Sequence, residues 1–202
     1  MIEFLTLLAF LPAALALNLT PGADMMFCLG QGLRAGVKAA WAASAGIAFG
    51  AFIHAGIAGV GLAALMAAAP WAFEAIRWIG VAYLLWLAIQ ILRAGSVSNR
   101  ETIPAQHAFR SALLVNLTNP KVALFMLAFV PQFVDPESGP VLVQFLIFGA
   151  VLSFGGFFIN GFVGVFAGSV GARLSKGSRT LDYVTASIFV LLAGRLAVLE
   201  RS

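Results

Sequence analysis

The chain has 202 residues, of which 61% are hydrophobic and 10% are charged, and its formal net charge is +4. A soluble domain of ordinary composition carries about 25% charged residues, and a soluble core could not bury this much apolar surface. Residues 141–170 contain no charged group and exceed the roughly 20 residues that cross a bilayer. The composition therefore predicts an all-α protein that crosses the lipid bilayer several times.

The composition also argues against several classes of function. Cys28 is the only cysteine, which rules out an intrachain disulfide and a paired-thiol electron relay. His54 and His107 are the only histidines and cannot form a histidine-rich metal site, so no metal or other cofactor is expected. An enzyme is not expected, because Asp24, His54 and Lys121 inside the apolar runs include no paired carboxylates. The basic residues lie between the apolar runs and indicate no nucleic-acid partner.

Six apolar runs predict six transmembrane helices. The runs are apolar on all sides instead of alternating with polar residues, which favours helices over the strands of a barrel. The first run follows Glu3, with no basic cluster before it, and is too long for a signal peptide, so we expect it to be retained. The predicted spans are residues 4–33, 39–68, 71–92, 111–134, 141–169 and 181–199.

The connections between the runs predict the orientation. The first, third and fifth connections contain basic residues, whereas the second, near 68–71, has none and the fourth, near 132–140, has only acidic ones. By the positive-inside rule the odd connections are cytoplasmic, and both termini lie outside. Residues 95–110 then form a cytoplasmic linker between two three-helix repeats of opposite orientation, 1–94 and 111–202.

A short internal repeat interrupts the first and fourth spans. Residues 18–21 read NLTP, and residues 116–120 read NLTNP. At about 1.5 Å of rise per residue, each proline lies roughly 15–20 Å from the nearest basic connection, close to the bilayer midplane. A proline inside a helix removes a backbone donor and clashes with the preceding turn. Each span is therefore expected to break into two half-helices.

The two breaks favour a transporter. Thr20 or Asn119 is predicted to be the N-cap of the second half-helix, with Pro21 or Pro120 as its first residue. The free amides and the positive end of the helix dipole then favour an anion such as a carboxylate. Inverted repeats whose broken helices meet at mid-depth are typical of secondary transporters, which bind substrate at that point. The alternative is a pair of structural kinks, which neighbouring helices can tolerate.

Two charged residues follow the breaks directly, Asp24 in the first and Lys121 in the second. An unpaired charge at the bilayer centre costs about 2.5–3.5 kcal/mol on insertion scales, so a partner or a water-filled cavity is expected. We expect both to face one cavity, where Asp24 binds the ammonium group of a zwitterionic substrate and Lys121 binds its carboxylate. The alternative is a structural ion pair that clamps the two breaks together.

Other polar and small residues have two interpretations each. His54 is either a proton relay or a packing residue, and Asn160 binds either substrate or a neighbouring helix. The glycines of the second and fifth spans form a sliding surface, a close-packed contact or the face of a homodimer. The proton-coupling candidates are Asp24 and His54. The predicted substrate-binding residues are Asn18, Thr20, Pro21, Gly22, Asp24, Asn116, Asn119, Pro120, Lys121 and Asn160.

These motifs resemble a known family. Residues 20–24, TPGAD, are similar to the helix break of the LysE/RhtB amino-acid exporters. Residues 77–93, RWIGVAYLLWLAIQILR, and 116–134, NLTNPKVALFMLAFVPQFV, resemble that family's third and fourth spans, and the NPK of 119–121 is the most specific element. Ala23 departs from the pattern, since the family commonly has a second proline there.

The resemblance implies a multi-pass protein of the bacterial inner membrane that exports an amino acid or a derivative, usually in exchange for protons. It does not indicate which amino acid. The alternative function is a small cation-selective channel or ion transporter. An acidic residue could line a channel, although a ring of charge would require oligomerisation. Saturable counterflow of a labelled amino acid would favour the transporter, and unsaturable conductance would favour the channel.

Overall fold

The computed structural model describes residues 2–68 and 107–166, together with isolated positions between 78 and 93 and between 183 and 194. These residues form helices and no strand. The predicted third and sixth spans, and most of the predicted linker, lie outside the described residues except at isolated positions. The described helices are α1 (Phe4–Leu19), α2 (Ala23–Ala68), α3 (Ala108–Leu117), α4 (Pro120–Ala128) and α5 (Val141–Val165), with short 3-10 helices at Val130–Phe133 and Pro136–Ser138.

The backbone of α2 turns at Gly36, which divides it into two helical segments. Gly36 has φ 79° and ψ −172°, a conformation that glycine adopts without the steric cost of a side chain. The turn lies between Arg34 and Lys38, where the sequence predicts the first connection. The first predicted span therefore includes α1 and the beginning of α2, and the second predicted span is the remainder of α2.

The described helices are long and apolar enough for a membrane protein. Ala23–Ala64 and Val141–Val165 are each long and apolar enough to cross a membrane, and so is the pair formed by Ala108–Leu117 and Pro120–Phe133, which is bent by 52°. α1 is shorter, with 16 residues. The described part of the chain therefore supports an all-helical membrane protein. The count of six spans and the inverted symmetry remain predictions.

Large apolar side chains cover the outer surface of these helices. Ile57 is 64% exposed, Leu114 62% and Phe154 69%. A soluble protein rarely exposes contiguous apolar surface on this scale, whereas lipid is the natural neighbour for such side chains. The surface agrees with the composition in placing these helices in a bilayer.

Small residues bring α5 against both segments of α2. A methyl group added at Gly149 would overlap Ala55 Cβ, and one at Gly164 would lie 2.7 Å from the carbonyl oxygen of Cys28. A methyl at Gly32 would in turn overlap the carbonyl of Gly164. Such close approach of backbones replaces the hydrophobic effect as the source of helix association in lipid. Close packing is thus one role of these glycines, and sliding and dimer formation remain untested.

A buried cluster of phenylalanine rings joins three of the helices. The ring of Phe10 on α1 lies 4.9 Å from that of Phe148 on α5, measured between centroids. Phe125 and Phe129 continue the cluster from the end of α4, with centroids 4.8 Å apart. All four rings are fully buried. This cluster fixes α1, α4 and α5 relative to one another on one side of the breaks.

The packing at Gly149 can be tested with a matched pair of alanine variants. We expect Gly149→Ala to destabilise the protein by about 1–3 kcal/mol, because the added methyl overlaps Ala55 in an already close-packed contact. Gly56→Ala should leave stability unchanged or raise it, since its methyl would meet only Leu146 Cδ2 at 4.0 Å and alanine is the better helix former. Unfolding in detergent measures both, and equal effects would contradict this explanation.

Candidate functional site

The first break lies at residues 20–22, between α1 and α2. Thr20 has extended backbone angles, φ −68° and ψ 117°, and its hydroxyl donates to the carbonyl of Ala16 at 2.6 Å. The carbonyl of Gly22 accepts the first bond of α2, from Met26 N at 3.0 Å. The prediction that Thr20 is the N-cap of the second half-helix, with Pro21 as its first residue, is therefore wrong. Thr20 instead caps the C-terminus of α1, because its hydroxyl bonds back to the preceding turn.

The second break lies between α3 and α4 and agrees with its prediction. Asn119 is the N-cap of α4, and its Oδ1 accepts from the backbone N–H of Lys121 at 3.0 Å. Pro120 is the first helical residue, where its fixed φ suits the helix and its missing N–H leaves no donor unsatisfied. The chain bends by 52° here.

The proline of the first break leaves a backbone carbonyl without a donor, and Lys121 supplies one. Pro21 has no N–H, so the carbonyl of Leu17, four residues earlier, has no donor within the helix. Lys121 Nζ donates to this oxygen at 3.1 Å and to the carbonyl oxygen of Thr20 at 3.1 Å. Gly22 leaves room for the ammonium group, since a Cβ there would lie 3.3 Å from Nζ. A residue of the second break thus satisfies the first.

The same relation holds in reverse at the second break. Pro120 cannot donate to the carbonyl of Asn116, which instead accepts from Asn119 N at 2.8 Å. His54 Nε2 lies 3.1 Å from this same oxygen. A carbonyl can only accept, so Nε2 of the half-buried imidazole must carry the hydrogen. Each break is therefore stabilised by a side chain from the other half of the chain.

These contacts explain how a cation is tolerated at the start of α4. An ammonium group near a helix N-terminus opposes the helix dipole. The side chain of Lys121, however, reaches the last carbonyls of α1, where the dipole of that helix favours a positive charge. The backbone oxygens of the opposite break therefore compensate for the unfavourable position of the Lys121 charge at the start of α4.

Asp24 has a different partner from Lys121. One carboxylate oxygen, Oδ2, accepts from Asn116 Nδ2 at 2.9 Å, and the other, Oδ1, is buried without a hydrogen-bond partner. The ammonium of Lys121 bonds to backbone carbonyls, so the two charged groups form no direct ion pair. The interpretation of the two residues as an ion-pair clamp is therefore wrong in its geometry. Both nevertheless line the same cavity.

This cavity lies where the breaks meet α5 and the second segment of α2. Its volume is about 20 Å³, which holds little more than one water molecule and is far below the volume of a typical ligand pocket. The polar residues of its wall are Asn18, Thr20, Asp24, Asn116, Lys121, Ser153 and Asn160. Apolar and small residues complete it, namely Leu17, Met25, Ile47, Ala48, Ala51, Val122, Leu152 and Gly156.

The cavity brings together six of the ten predicted substrate-binding residues. Pro21, Gly22, Asn119 and Pro120 form the breaks and do not line the wall. Asn18 does line it, and its amide also donates to the carbonyl of Leu152 at 3.1 Å. The sequence reasoning missed Ser153, which stands seven residues before Asn160 and therefore on the same side of α5. That spacing could have indicated it.

His54 does not line the cavity but lies behind it, against the backbone of Asn116. Gly50, on the same face of α2 one turn earlier, lets this helix approach the side chain of Asn116, since a Cβ there would lie 2.7 Å from Asn116 Oδ1. Asn116 is fully buried. The second segment of α2 therefore fixes the residue whose amide in turn orients Asp24.

Several buried polar atoms around the cavity have no hydrogen-bond partner. They are Asp24 Oδ1, Asn116 Oδ1 and Ser153 Oγ on its wall and Asn119 Nδ2 at the second break. Leaving such a group unsatisfied costs about 1–3 kcal/mol, so folded proteins rarely keep several together without a purpose. Within the described residues, this concentration of unused hydrogen-bonding capacity makes the cavity the candidate site.

Comparison with known proteins identifies the family of this chain. The family described as LysE type translocator matches residues 15–200 of this chain. The chain belongs to the LysE-type translocator family. Among curated relatives of this translocator, the homoserine/homoserine lactone efflux protein of Salmonella typhi is 33% identical over 195 residues, which is 94% of each chain.

Two further relatives also cover much of this chain. The leucine efflux protein of Klebsiella pneumoniae is 32% identical over 205 residues, covering 97% of this chain and 96% of the relative. A protein of Vibrio cholerae described as an uncharacterized membrane protein is 38% identical over 149 residues, covering 70% and 71% respectively. No solved structure matches the chain.

The contact between His54 and the second break predicts a stability difference between two variants of the translocator. His54→Phe keeps an aromatic ring but removes the donor to the carbonyl of Asn116, and we expect it to cost about 0.5–1.5 kcal/mol. His54→Gln retains an N–H at a similar reach and should cost less. Unfolding of both variants in detergent tests this. If glutamine were as destabilising as phenylalanine, the hydrogen bond would not be the reason for His54 at this position.

Proposed function

We propose that this protein exports an amino acid or amino-acid derivative across the bacterial inner membrane, by alternating access around the cavity between the two breaks. The observation that carries this proposal is that two groups of opposite charge line the cavity without forming an ion pair with each other. The unpartnered Oδ1 of Asp24 and the ammonium group of Lys121 belong to one buried wall without neutralising each other directly. A zwitterion supplies a complementary group for each.

The ammonium group of the substrate would bind at Asp24. Its Oδ1 is a carboxylate oxygen without a partner, and hydrogen bonds in which a partner is charged are about twice as strong as neutral ones. Asn116 Nδ2 already bonds to the other carboxylate oxygen, Oδ2, and so holds the carboxylate in place. An ammonium group has three donors, one of which would pair with Asp24 Oδ1.

The carboxylate of the substrate would bind at the second break. Lys121 Nζ has three N–H donors, and the carbonyls of Leu17 and Thr20 use two of them. The remaining N–H, together with the positive end of the dipole of α4, favours an anion at this point. The two groups of the substrate would therefore lie along the line that joins the breaks.

The small size of the cavity supports a mechanism with conformational change. A volume of about 20 Å³ cannot hold an amino acid, so the surrounding helices must separate to admit one. Side-chain hydrogen bonds of Lys121 and His54 hold the two breaks in place. These bonds can exchange partners without unfolding a helix. Opening to one side of the membrane and then to the other around such a point is how broken-helix transporters work.

The direction and the substrate class are supported by the relatives. Two relatives that cover nearly the whole chain are named efflux proteins for homoserine or its lactone and for leucine. These compounds share an amino group, and the two amino acids also share a carboxylate. We therefore propose amino-acid efflux as the common activity, with the side chain recognised separately.

Proton exchange would drive this export through Asp24. A proton and the substrate ammonium compete for the same carboxylate, so protonation of Asp24 would release the substrate and deprotonation would allow it to bind. His54 is less suited to the role of primary proton site, because it contacts a backbone carbonyl and does not line the cavity. The antiport of a proton against an amino acid then needs only one titrating group.

A cation-selective channel gains no support from the described residues. The cavity has a volume of only about 20 Å³, and among the described residues Asp24 is the only acidic one on its wall. A channel would also be lined by groups that bind the cation weakly and repeatedly. A wall that combines one carboxylate with one ammonium group suits a zwitterion better.

Transport measurements on two acidic residues test the proposal. Purified protein in liposomes loaded with unlabelled homoserine or leucine should show saturable counterflow of the labelled compound. Asp24→Asn keeps the size of the side chain but removes the charge, and we expect it to lower counterflow at least tenfold, the effect of losing one charged hydrogen bond. Glu137→Gln, at an exposed position far from the breaks in sequence, is the control and should transport normally.

Two outcomes would contradict the proposal. Normal counterflow by a correctly folded Asp24→Asn protein would remove the carboxylate from the binding site. Unsaturable conductance in the wild type would favour the channel instead.

A further inference from the structure

Ser153 on α5 is a buried serine whose hydroxyl is not used by the fold. It is 8% exposed, lines the cavity, and its Oγ has no hydrogen-bond partner. A helical serine or threonine can satisfy its hydroxyl by donating to the carbonyl four residues earlier. Thr20 and Thr118 do so in this protein. The hydroxyl of Ser153 is therefore available to a group inside the cavity.

Asn160 adds a second neutral polar group to the same side of α5. It is 4% exposed and lines the cavity seven residues after Ser153, two helical turns away. Gly156 lies between them and leaves space for the side chain of Asn18, which a Cβ at this position would approach to 3.0 Å. This face of α5 is thus uncharged, polar and narrow.

The charged and uncharged residues of the cavity wall lie in different places, the charged ones at the breaks and the uncharged ones on α5 and the second segment of α2. Asp24 and Lys121 lie at the breaks and suit the charged groups that all amino acids share. α5 carries no charged residue in Val141–Val165, and the neighbouring segment of α2 contributes only Ile47, Ala48 and Ala51 to the wall. The side chain of a substrate bound at the breaks would therefore face an uncharged surface, on which Ser153 and Asn160 are the hydrogen-bonding residues beside apolar ones such as Ile47 and Leu152.

We infer that Ser153 determines specificity, and that this transporter prefers a substrate whose short side chain carries a neutral hydroxyl or carbonyl oxygen over one with an aliphatic side chain. This inference rests on the proposed function. Its physical basis is an asymmetry of hydrogen bonding. A substrate oxygen pairs with the buried hydroxyl of Ser153, whereas a methyl group in the same place leaves that hydroxyl unpaired and out of reach of water.

Two amino acids of the same shape test the inference. Homoserine and norvaline have side chains of equal length and differ in a terminal hydroxyl or methyl group. Competition by each against labelled homoserine, in counterflow by the full-length protein in liposomes, gives a ratio of apparent affinities. For the wild type we expect homoserine to be favoured by about fivefold, the effect of one neutral hydrogen bond.

The variants separate the hydroxyl from the packing of the helix. Ser153→Ala should reduce the ratio to about one, mainly by weakening homoserine, and Ser153→Thr should preserve a preference because it keeps a hydroxyl. Ser44→Ala is the matched control. Ser44 is also fully buried and donates to α5, at the carbonyl of Phe157, but it does not line the cavity, so its loss should leave the ratio unchanged.

The outcomes distinguish this inference from the proposed function. Counterflow of both compounds with an equal ratio in wild type and Ser153→Ala would overturn the role of Ser153 and leave amino-acid export intact. A preference for norvaline in the wild type would overturn it as well. If the wild type transported neither compound nor any other amino acid, the proposed function would fail and the inference would fail with it.

Discussion

The structure depends on the constraint that a backbone carbonyl in lipid needs a donor, because no water can supply one. Each of the prolines at the two breaks takes a donor away from the carbonyl four residues earlier. At the first break Lys121 of the opposite half supplies a donor, and at the second break Asn119 N–H supplies one while His54 of the opposite half adds another. The two interruptions therefore stabilise each other, and their mutual contact creates the polar cavity at the centre of the fold.

The charges at the cavity follow from this arrangement. Lys121 is committed to carbonyls at the end of α1, which stabilise its ammonium group without a carboxylate. Asp24 is thereby left with one oxygen bonded to Asn116 and one oxygen unused. A direct ion pair would have neutralised both groups and closed the site. Separate backbone and amide partners keep a negative and a positive group available on one wall, which is what recognition of a zwitterion requires.

Local chemistry made part of this predictable from sequence. The paired prolines gave the positions of both breaks, and the pattern of Asn119 and Pro120 gave the start of α4, since capping depends on adjacent residues. The prediction that Thr20 is an N-cap was wrong because a threonine can cap a following helix or bond back to a preceding one, and the sequence does not decide between these. The bonds of Lys121 and His54, and the exposure of Ser153 to the cavity, depend on packing between helices distant in sequence.

The most direct test of the central claim is a double-mutant cycle of Pro21→Ala and Lys121→Met, with unfolding free energies measured in detergent. Alanine at position 21 allows α1 to continue past Leu19, and its N–H can then bond to the carbonyl of Leu17 in place of the ammonium group. We expect Lys121→Met to destabilise the wild type more than the Pro21→Ala protein, with a coupling energy of about 0.5–3 kcal/mol, the range for residues in one hydrogen-bond network. Strictly additive effects would contradict it.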